Sequence, residues 1–270
     1  MQDTGELVTP QSAHWSRNGG RRYSLVIPLQ DERDNLEPLY DEIVAAFANL
    51  GVAADYELIF VDDGSRDGSG DVLARLAQRD ARVRVVTFER NFGKTSALDA
   101  GFRAARGEFV ILMDADRQND PADLPKFMAL ENQADLVCGW RAERRDTLTK
   151  RLSSRTANQI RRLLLGDTLH DINCGFKLLR RECLTRIKLY GGLHRFLPVL
   201  FQLEGYRVAE VRISDRPRTA GRSKYGLLNR LWGPFEDLWA VGWMRRRQLR
   251  YRVRGDANSP PLAKGGAGGV

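Results

Sequence analysis

"FVILMDADRQNDP", residues 109–121, runs five apolar side chains straight into Asp114, Ala115 and Asp116. A continuous apolar run of this length reads as a strand buried on both faces. It ends by delivering two carboxylates, one residue apart, to one place, where like charges repel unless something holds them. The stretch before it, "GKTSALDAGFRAAR" (93–106), has helical periodicity and closes at Gly107. Further back, strands at 23–29, 56–61 and 83–88 alternate with helices at 35–50 and 69–80. That alternation predicts an α/β chain with a mostly parallel sheet and helices on both faces. Ligands of such sheets bind at the carboxyl ends of the strands. Asp114 and Asp116 stand there, and so do Asp62 and Asp63 after the second strand.

Downstream the pattern is looser. "DLVCGWR" (135–141) reads as a strand, "TKRLSSRTANQIRRLLL" (149–165) as a basic helix, "CGFKLLRREC" (174–183) as a strand running into a helix, and "YRVAEVRI" (206–213) as a late strand. The first 22 residues lack periodicity and read as a flexible arm, and the Gly/Pro/Ala-rich stretch 255–270 reads as a disordered tail. Lys and Arg number 43 against 35 Asp and Glu, a net charge of +8 over 270 residues. Such an excess favours polyanionic partners: nucleic acid, an anionic membrane surface or phosphorylated substrates. Nucleic acid is disfavoured, because the aromatics are not interleaved with basic residues as a stacking platform requires. No stretch reaches the ~18 uninterrupted apolar residues of a spanning helix. The three cysteines, Cys138, Cys174 and Cys183, show no metal-binding spacing. Without a leader-like start they read as reduced thiols of a cytoplasmic protein.

Asp114 and Asp116, with the Gln118 amide a step further on, suit a hard divalent cation such as Mg²⁺ or Mn²⁺, which takes oxygen ligands from one or two carboxylates and substrate phosphates. The alternative is a solvated acidic turn before a helix capped by Asp120. "VDDGSRDGS" (61–69) lacks the third glycine of a dinucleotide fingerprint, since Leu73 occupies its place. Asp62 and Asp63 are candidates to accept hydrogen bonds from a nucleotide, or form an acidic turn. "ERNFGKTSALDAGF" (89–102) sets Arg90, Asn91 and Lys94 at the next strand end. There Lys94 adds a cation to a helix start that already favours anions.

Taken in order, "VIPLQDERDNL", "VDDGSRDGS", "RNFGKTSALDAGF", "LMDADRQNDP" and "GFKLLRREC" resemble the family 2 glycosyltransferases, in particular the polyprenyl-phosphate sugar transferase branch that includes dolichyl-phosphate mannose synthase-like enzymes. The resemblance spans roughly residues 23–226. It implies a GT-A fold: a Rossmann-like, doubly wound, mostly parallel sheet in a single domain. It implies an inverting, metal-dependent transfer from a GDP- or UDP-linked sugar to a polyprenyl phosphate, with a saccharide or protein hydroxyl as the alternative acceptor and a non-catalytic anion or membrane binder as a third reading. On this resemblance Pro28, Asp31, Glu32, Asp62, Asp63, Asn91, Lys94, Asp114 and Ala115 would bind the nucleotide sugar. Leu29-Gln30 departs from the family's usual Thr-Tyr. Asp114, Asp116 and Gln118 match a metal-binding D-x-D-x-Q. Asp116, Arg141 and Arg151 would serve catalysis. Ser154, Arg195, Arg218, Ser223 and Lys224 would hold the acceptor phosphate, although the spacing in "KRLSSR" is one residue short. The Glu-Asp pair that supplies a base in many hydroxyl-transferring relatives is missing from its usual place, and Glu236-Asp237 stands far downstream. Asp171 is favoured over His170 as a functional residue.

In the last segment, 227–254, Leu228, Leu231, Trp232, Phe235, Leu238, Trp239 and Trp243 recur at helical spacing around Pro234, and six arginines follow. This predicts an amphipathic helix lying peripherally on the inner face of a membrane. Packing on the catalytic domain, or on a second subunit in a homo-oligomer, is the alternative for the same stripe.

Overall fold

β1 (Tyr23–Leu29) is the axis of the sheet. It pairs in parallel with β2 (Tyr56–Asp62) on one side and β4 (Phe109–Leu112) on the other, setting Leu25 level with Leu58 and Ile111. β3 (Val83–Thr87) continues the sheet beyond β2. The helices α1 (Arg33–Asn49), α2 (Ser69–Arg79) and α3 (Lys94–Ala104) alternate with these strands. Each of these elements falls within about two residues of its expected place: β1, β2 and β4 are buried and therefore largely apolar, while β3 is only partly covered.

The computed structural model describes residues 22–51, 55–141, 159, 161–214, 216 and 232–249, without the side chains of 232–235. After β4 come a 3₁₀ turn (Pro121–Asp123), α4 (Leu124–Met128), β5 (Leu136–Trp140), β6 (Lys177–Arg180), a 3₁₀ turn (Leu193–Phe196), α5 (Leu197–Leu203), β7 (Val208–Arg212) and α6 (Trp232–Arg247). The seven strands lie in the order β3-β2-β1-β4-β6-β5-β7. β6 runs antiparallel to β4 and β5, whereas β7 is parallel to β5. The sheet is therefore doubly wound and mostly parallel, with β6 reversed. The stretch 174–183 differs from expectation: its strand spans only Lys177–Arg180 and runs into a 3₁₀ turn, Arg181–Thr185. Cys174 to Phe176 instead carry the chain past Asp114.

Two apolar layers sandwich the sheet. On one side Phe47 of α1 stacks on Tyr56 at 4.0 Å, among Leu36, Leu39, Ile43, Leu73 and Phe127. On the other, Ala97, Leu98 and Phe102 of α3 and Phe201 of α5 cover Val26, Ile59, Val110 and Leu136. Each such large side chain contributes roughly 1.5–3 kcal/mol on burial. All three cysteines are buried and free. Arg22, assigned to the flexible arm from sequence, is instead tied to the domain: its N–H donates to the Asp55 carbonyl and its guanidinium pairs with Glu131.

The C-terminal stripe divides. Leu238 and Val241 of α6 are buried against Leu165, Leu169, Leu193, Phe196, Val199 and Leu200. Trp239 and Trp243 point outward, 63% and 50% exposed. A single stripe on one face was expected from sequence; the helix in fact uses Leu238 to dock on the domain and presents Trp239 and Trp243 elsewhere. No helix among the described residues is long and apolar enough to cross a membrane. The expected arm through residue 21, the basic helix over 149–158 with Arg151 and Ser154, the segment holding Arg218, Ser223 and Lys224, Leu228 and Leu231, and the tail lie outside the described residues.

Candidate active site

The carboxyl ends of β1, β2 and β4 deliver their acidic residues to one edge of the sheet, next to the start of α3. There Lys94 Nζ lies 2.5 Å from Asp114 Oδ1. Burial alone would raise the Asp114 carboxyl, but the Lys94 ammonium, helped by Lys177 and His194, outweighs it and holds the group below the usual carboxylate range. Asp116 is nearly buried, and its Oδ1 accepts the Gln118 N–H at 3.1 Å. Ala115 between them is buried. The carbonyl of Gln118 accepts the Arg216 N–H, and Arg216 also pairs with Glu42 at 2.8 Å and Asp120 at 2.5 Å. Asp120 caps its turn as expected, accepting the Ala122 N–H.

Among the described residues only Asp31 and Arg117 adopt positive φ without being glycine, at 49° and 58°. Both sit in these strand-end loops, where backbone strain gathers at functional sites. Arg117 is held there by Glu42 at 2.5 Å.

The acidic residues expected to meet a nucleotide also build the loops. Asp31 Oδ1 accepts the Arg66 N–H at 2.7 Å, and Glu32 Oε2 accepts from the Asn35 amide at 2.6 Å. Asp62 Oδ1 accepts the Ser65 N–H at 2.9 Å. Asp63 takes the N–H groups of Phe92 and Gly93, at 2.6 and 2.9 Å, one on each oxygen. Asp63 thereby fixes the turn that aims Lys94 at Asp114. Pro28 lies level with Val61 in the sheet, and Asn91 is exposed on the α3 loop.

Gly175, Lys177, Thr95 and His194 are not among the site residues expected from sequence, whereas Arg141, Asp171 and Arg195 are. At Gly175 a Cβ would fall 2.3 Å from Asp114 Oδ2, so the missing side chain makes room for the carboxylate. Lys177 is buried, and its ammonium donates to the Cys174 carbonyl. His194 Nδ1 lies 2.8 Å from Thr95 Oγ1, which also accepts the Gly192 N–H. Burial, reinforced by Lys94, Arg195 and Lys177, lowers the His194 imidazole to about 3, so the ring is neutral near pH 7. Arg195 pairs with Asp237 of α6 at 3.3 Å, which brings the second member of the downstream Glu-Asp pair next to Arg195. Arg141 is held by Asp171, Nε to Oδ2 at 2.9 Å. His170 stacks on Trp140, and its Nδ1 lies 2.8 Å from Glu210 Oε2. "HR" at 194–195 and the glycine of "CGF" were the only available signals, and neither spacing reveals a contact with Asp114.

The profile described as Glycosyl transferase family 2 matches residues 24–187, more than half of the chain. The chain belongs to glycosyltransferase family 2. Among curated members of the family, the dodecaprenyl-phosphate galacturonate synthase of Rhizobium johnstonii is 36% identical over 237 residues, covering 86% of this chain and 68% of the relative. An undecaprenyl-phosphate 4-deoxy-4-formamido-L-arabinose transferase of Edwardsiella ictaluri is 34% identical over 207 residues, 76% of this chain and 63% of the relative. A transferase of the same description from Pseudomonas aeruginosa is 35% identical over 210 residues, 77% of this chain and 61% of the relative. The chain thus spans between three fifths and about two thirds of these relatives. Among solved structures, a glucosyl-3-phosphoglycerate synthase of Mycobacterium tuberculosis superposes with a TM-score of 0.62 at 22% identity, over 87% of this chain and 85% of that one. That likeness is one of fold, and it places the family 2 domain in the GT-A architecture.

Proposed function

We propose that this family 2 glycosyltransferase moves a sugar, with inversion, from a nucleotide-sugar donor to a polyprenyl phosphate. The observation that carries the reading is the Asp114 carboxylate at the end of β4, clasped by Lys94 and flanked by Lys177 and Asp116. The relatives named for dodecaprenyl- and undecaprenyl-phosphate support the acceptor class. Structural neighbours solved with Mn²⁺ and UDP-glucose, or with Mg²⁺ and UDP, support a nucleotide-sugar donor, UDP- or GDP-linked.

The residues at this strand end fit Mg²⁺ or Mn²⁺. Asp114 already attracts a cation in the form of Lys94, and with Asp116 and the Gln118 amide it offers hard oxygen donors. Three such ligands are fewer than an octahedral ion takes, which suits a metal shared with phosphate oxygens. When bound, the metal would supply Lewis-acid stabilisation of the departing diphosphate.

The chain's own residues do the rest. Lys94, released from Asp114, would meet the diphosphate at the start of α3, where a helix N-terminus favours anions. Arg141, oriented by Asp171, and Arg151 would oppose charge developing as the diphosphate leaves. Arg195, with Ser154, Arg218, Ser223 and Lys224, would hold the acceptor phosphate. A phosphate monoester has a second pKa of about 6, so near pH 7 it is mostly dianionic and attacks without a base. Pro28, Asp31, Glu32, Asp62, Asp63 and Asn91 would line the nucleoside, with Asp63 also setting the loop.

The exposed Trp239 and Trp243, with Arg245, Arg246 and Arg247 in the last turn of α6, support peripheral contact with an anionic leaflet, on the inner face of the membrane. A panel of labelled nucleotide sugars incubated with polyprenyl phosphate or with polyprenol tests the proposal. Organic-extractable label is expected with the phosphate alone; equal transfer to polyprenol would overturn the acceptor assignment.

A further inference from the structure

Arg195 follows Gly192 in the 3₁₀ turn Leu193–Phe196, and its Nη1 donates to Asp237 Oδ2 at 3.3 Å. Asp237 arrives from α6, which Leu238 and Val241 anchor in the apolar cluster containing Leu193 and Phe196. The same carboxylate presses on Gly192, where a Cβ would fall 2.2 Å from Oδ2 and 2.5 Å from Oδ1, and where φ is +85°. Any side chain at Gly192 would therefore be strained and would strike Asp237. The Gly192 N–H donates to Thr95 Oγ1 at 3.1 Å, and Thr95 is the neighbour of Lys94, which holds Asp114. An unbroken set of contacts thus joins the C-terminal helix to the carboxylate at the end of β4.

Asp237 engages Arg195 through one nitrogen. A guanidinium carries five N–H donors, and one carboxylate contact on Nη1 leaves the Nε/Nη2 edge to meet two phosphate oxygens. Asp237 is only 15% exposed and Arg195 31%, so the pair is largely shielded from bulk solvent.

We propose that Asp237 is a positioning residue: it orients Arg195 toward the acceptor phosphate, so the acceptor side of the site is complete only when α6 is docked. This rests on the reading that Arg195 binds that phosphate. A chain cut before α6 would then retain the donor-side residues and lose acceptor affinity. The Glu-Asp pair that sequence leaves stranded downstream acquires a role other than that of a general base.

The test is steady-state kinetics of the full chain with polyprenyl phosphate, at saturating donor and Mn²⁺, on Arg195→Ala, Asp237→Ala, Asp237→Asn and the double Arg195→Ala/Asp237→Ala variant. Arg195→Ala and Asp237→Ala are each expected to raise acceptor KM by about tenfold, the order found for residues that orient a ligand from behind, with donor KM unmoved. Asp237→Asn keeps an oxygen facing Arg195 and is expected to recover most of that loss, which also guards against a folding defect in the alanine variant. The double variant is expected to match Arg195→Ala, because removing the clamp matters only while Arg195 is present. Additive effects, or an Asp237→Ala variant with parental or lowered acceptor KM, would overturn the inference while leaving the Arg195 assignment standing. A fall in kcat for Asp237→Asn at unchanged acceptor KM would make Asp237 a base and overturn it as well. Parental acceptor KM in Arg195→Ala would remove the underlying assignment and the inference together.

Discussion

Gly175→Ala tests how tightly the site is built. The added Cβ would stand 2.3 Å from Asp114 Oδ2, 2.5 Å from its Cγ and 2.8 Å from Oδ1, where real contacts are almost never under 3.0 Å. The carboxylate must retreat by about 1 Å to restore ordinary contact, and a 1 Å misplacement at a reacting centre can cost on the order of 100-fold in rate. Retreat is not free, because Lys94 holds Oδ1 at 2.5 Å and an aspartate side chain is short. A 100-fold loss corresponds to about 2.7 kcal/mol. The expected result is a fall of about 100-fold in kcat/KM for the donor, weaker Mn²⁺ binding by calorimetry, and a near-parental far-ultraviolet spectrum. Gly242→Ala is the control: its nearest neighbour would be Leu165 Cδ2 at 3.9 Å, inside α6. It should be neutral or stabilise by up to about 1 kcal/mol through helix propensity. Parental turnover and metal affinity in Gly175→Ala would show that the space at Gly175 does not set the position of Asp114. So would a loss explained by unfolding, with the folded fraction binding Mn²⁺ normally.

Asp116→Ala should abolish metal-dependent donor turnover and cost little stability, about 1 kcal/mol for the hydrogen bond from Gln118; turnover that survives this change would remove Asp116 from the chemistry. Asp80 is held at about 2: burial would raise it, but hydrogen bonds from Arg82 and Tyr40 prevail. A depressed carboxyl contributes stability that is present above its unfolded value near 3.9 and is lost as pH falls through about 2. Urea denaturation of Asp80→Asn should therefore show a deficit of about 2 kcal/mol at pH 7 that shrinks toward zero by pH 2, and a constant deficit would contradict the assignment. Trp239→Ala with Trp243→Ala should weaken flotation with anionic vesicles while leaving Tm nearly unchanged. Leu238→Ala should instead cost about 2–5 kcal/mol of stability. The reverse pattern would exchange the two faces of α6.

The centre of the sheet was legible because β1, β2 and β4 are buried almost throughout. A strand such as "YELIFV" admits no other reading between a helix stop and an acidic turn, and parallel order follows from the alternation. β6 was harder: four residues, two places after Gly175 and followed by a 3₁₀ turn, carry no period to read, and antiparallel insertion depends on partners far along the chain. At the site, Asp114 and Asp116 were legible because two carboxylates at a strand end have no packing reason to be there. Gly175, Thr95, His194 and Asp237 were not, since their meaning lies in what they touch. Asp237 reaches the site only because Leu238 and Val241 fold α6 back onto the domain, a consequence of burial that no local spacing encodes. The same burial split the apolar stripe that sequence presented as one face.

In the proposed reaction the strand-end carboxylates serve transfer of a sugar to a lipid phosphate. Phosphorus and proton NMR of the lipid product formed from a labelled nucleotide sugar tests it most directly. The expected product is a phosphodiester joining the anomeric carbon to the acceptor's own phosphate, with inverted configuration, formed by the parent in Mn²⁺ or Mg²⁺ and absent after chelation or in Asp116→Ala. A retained configuration, a sugar attached through a hydroxyl, or the same product formed in excess chelator would contradict it.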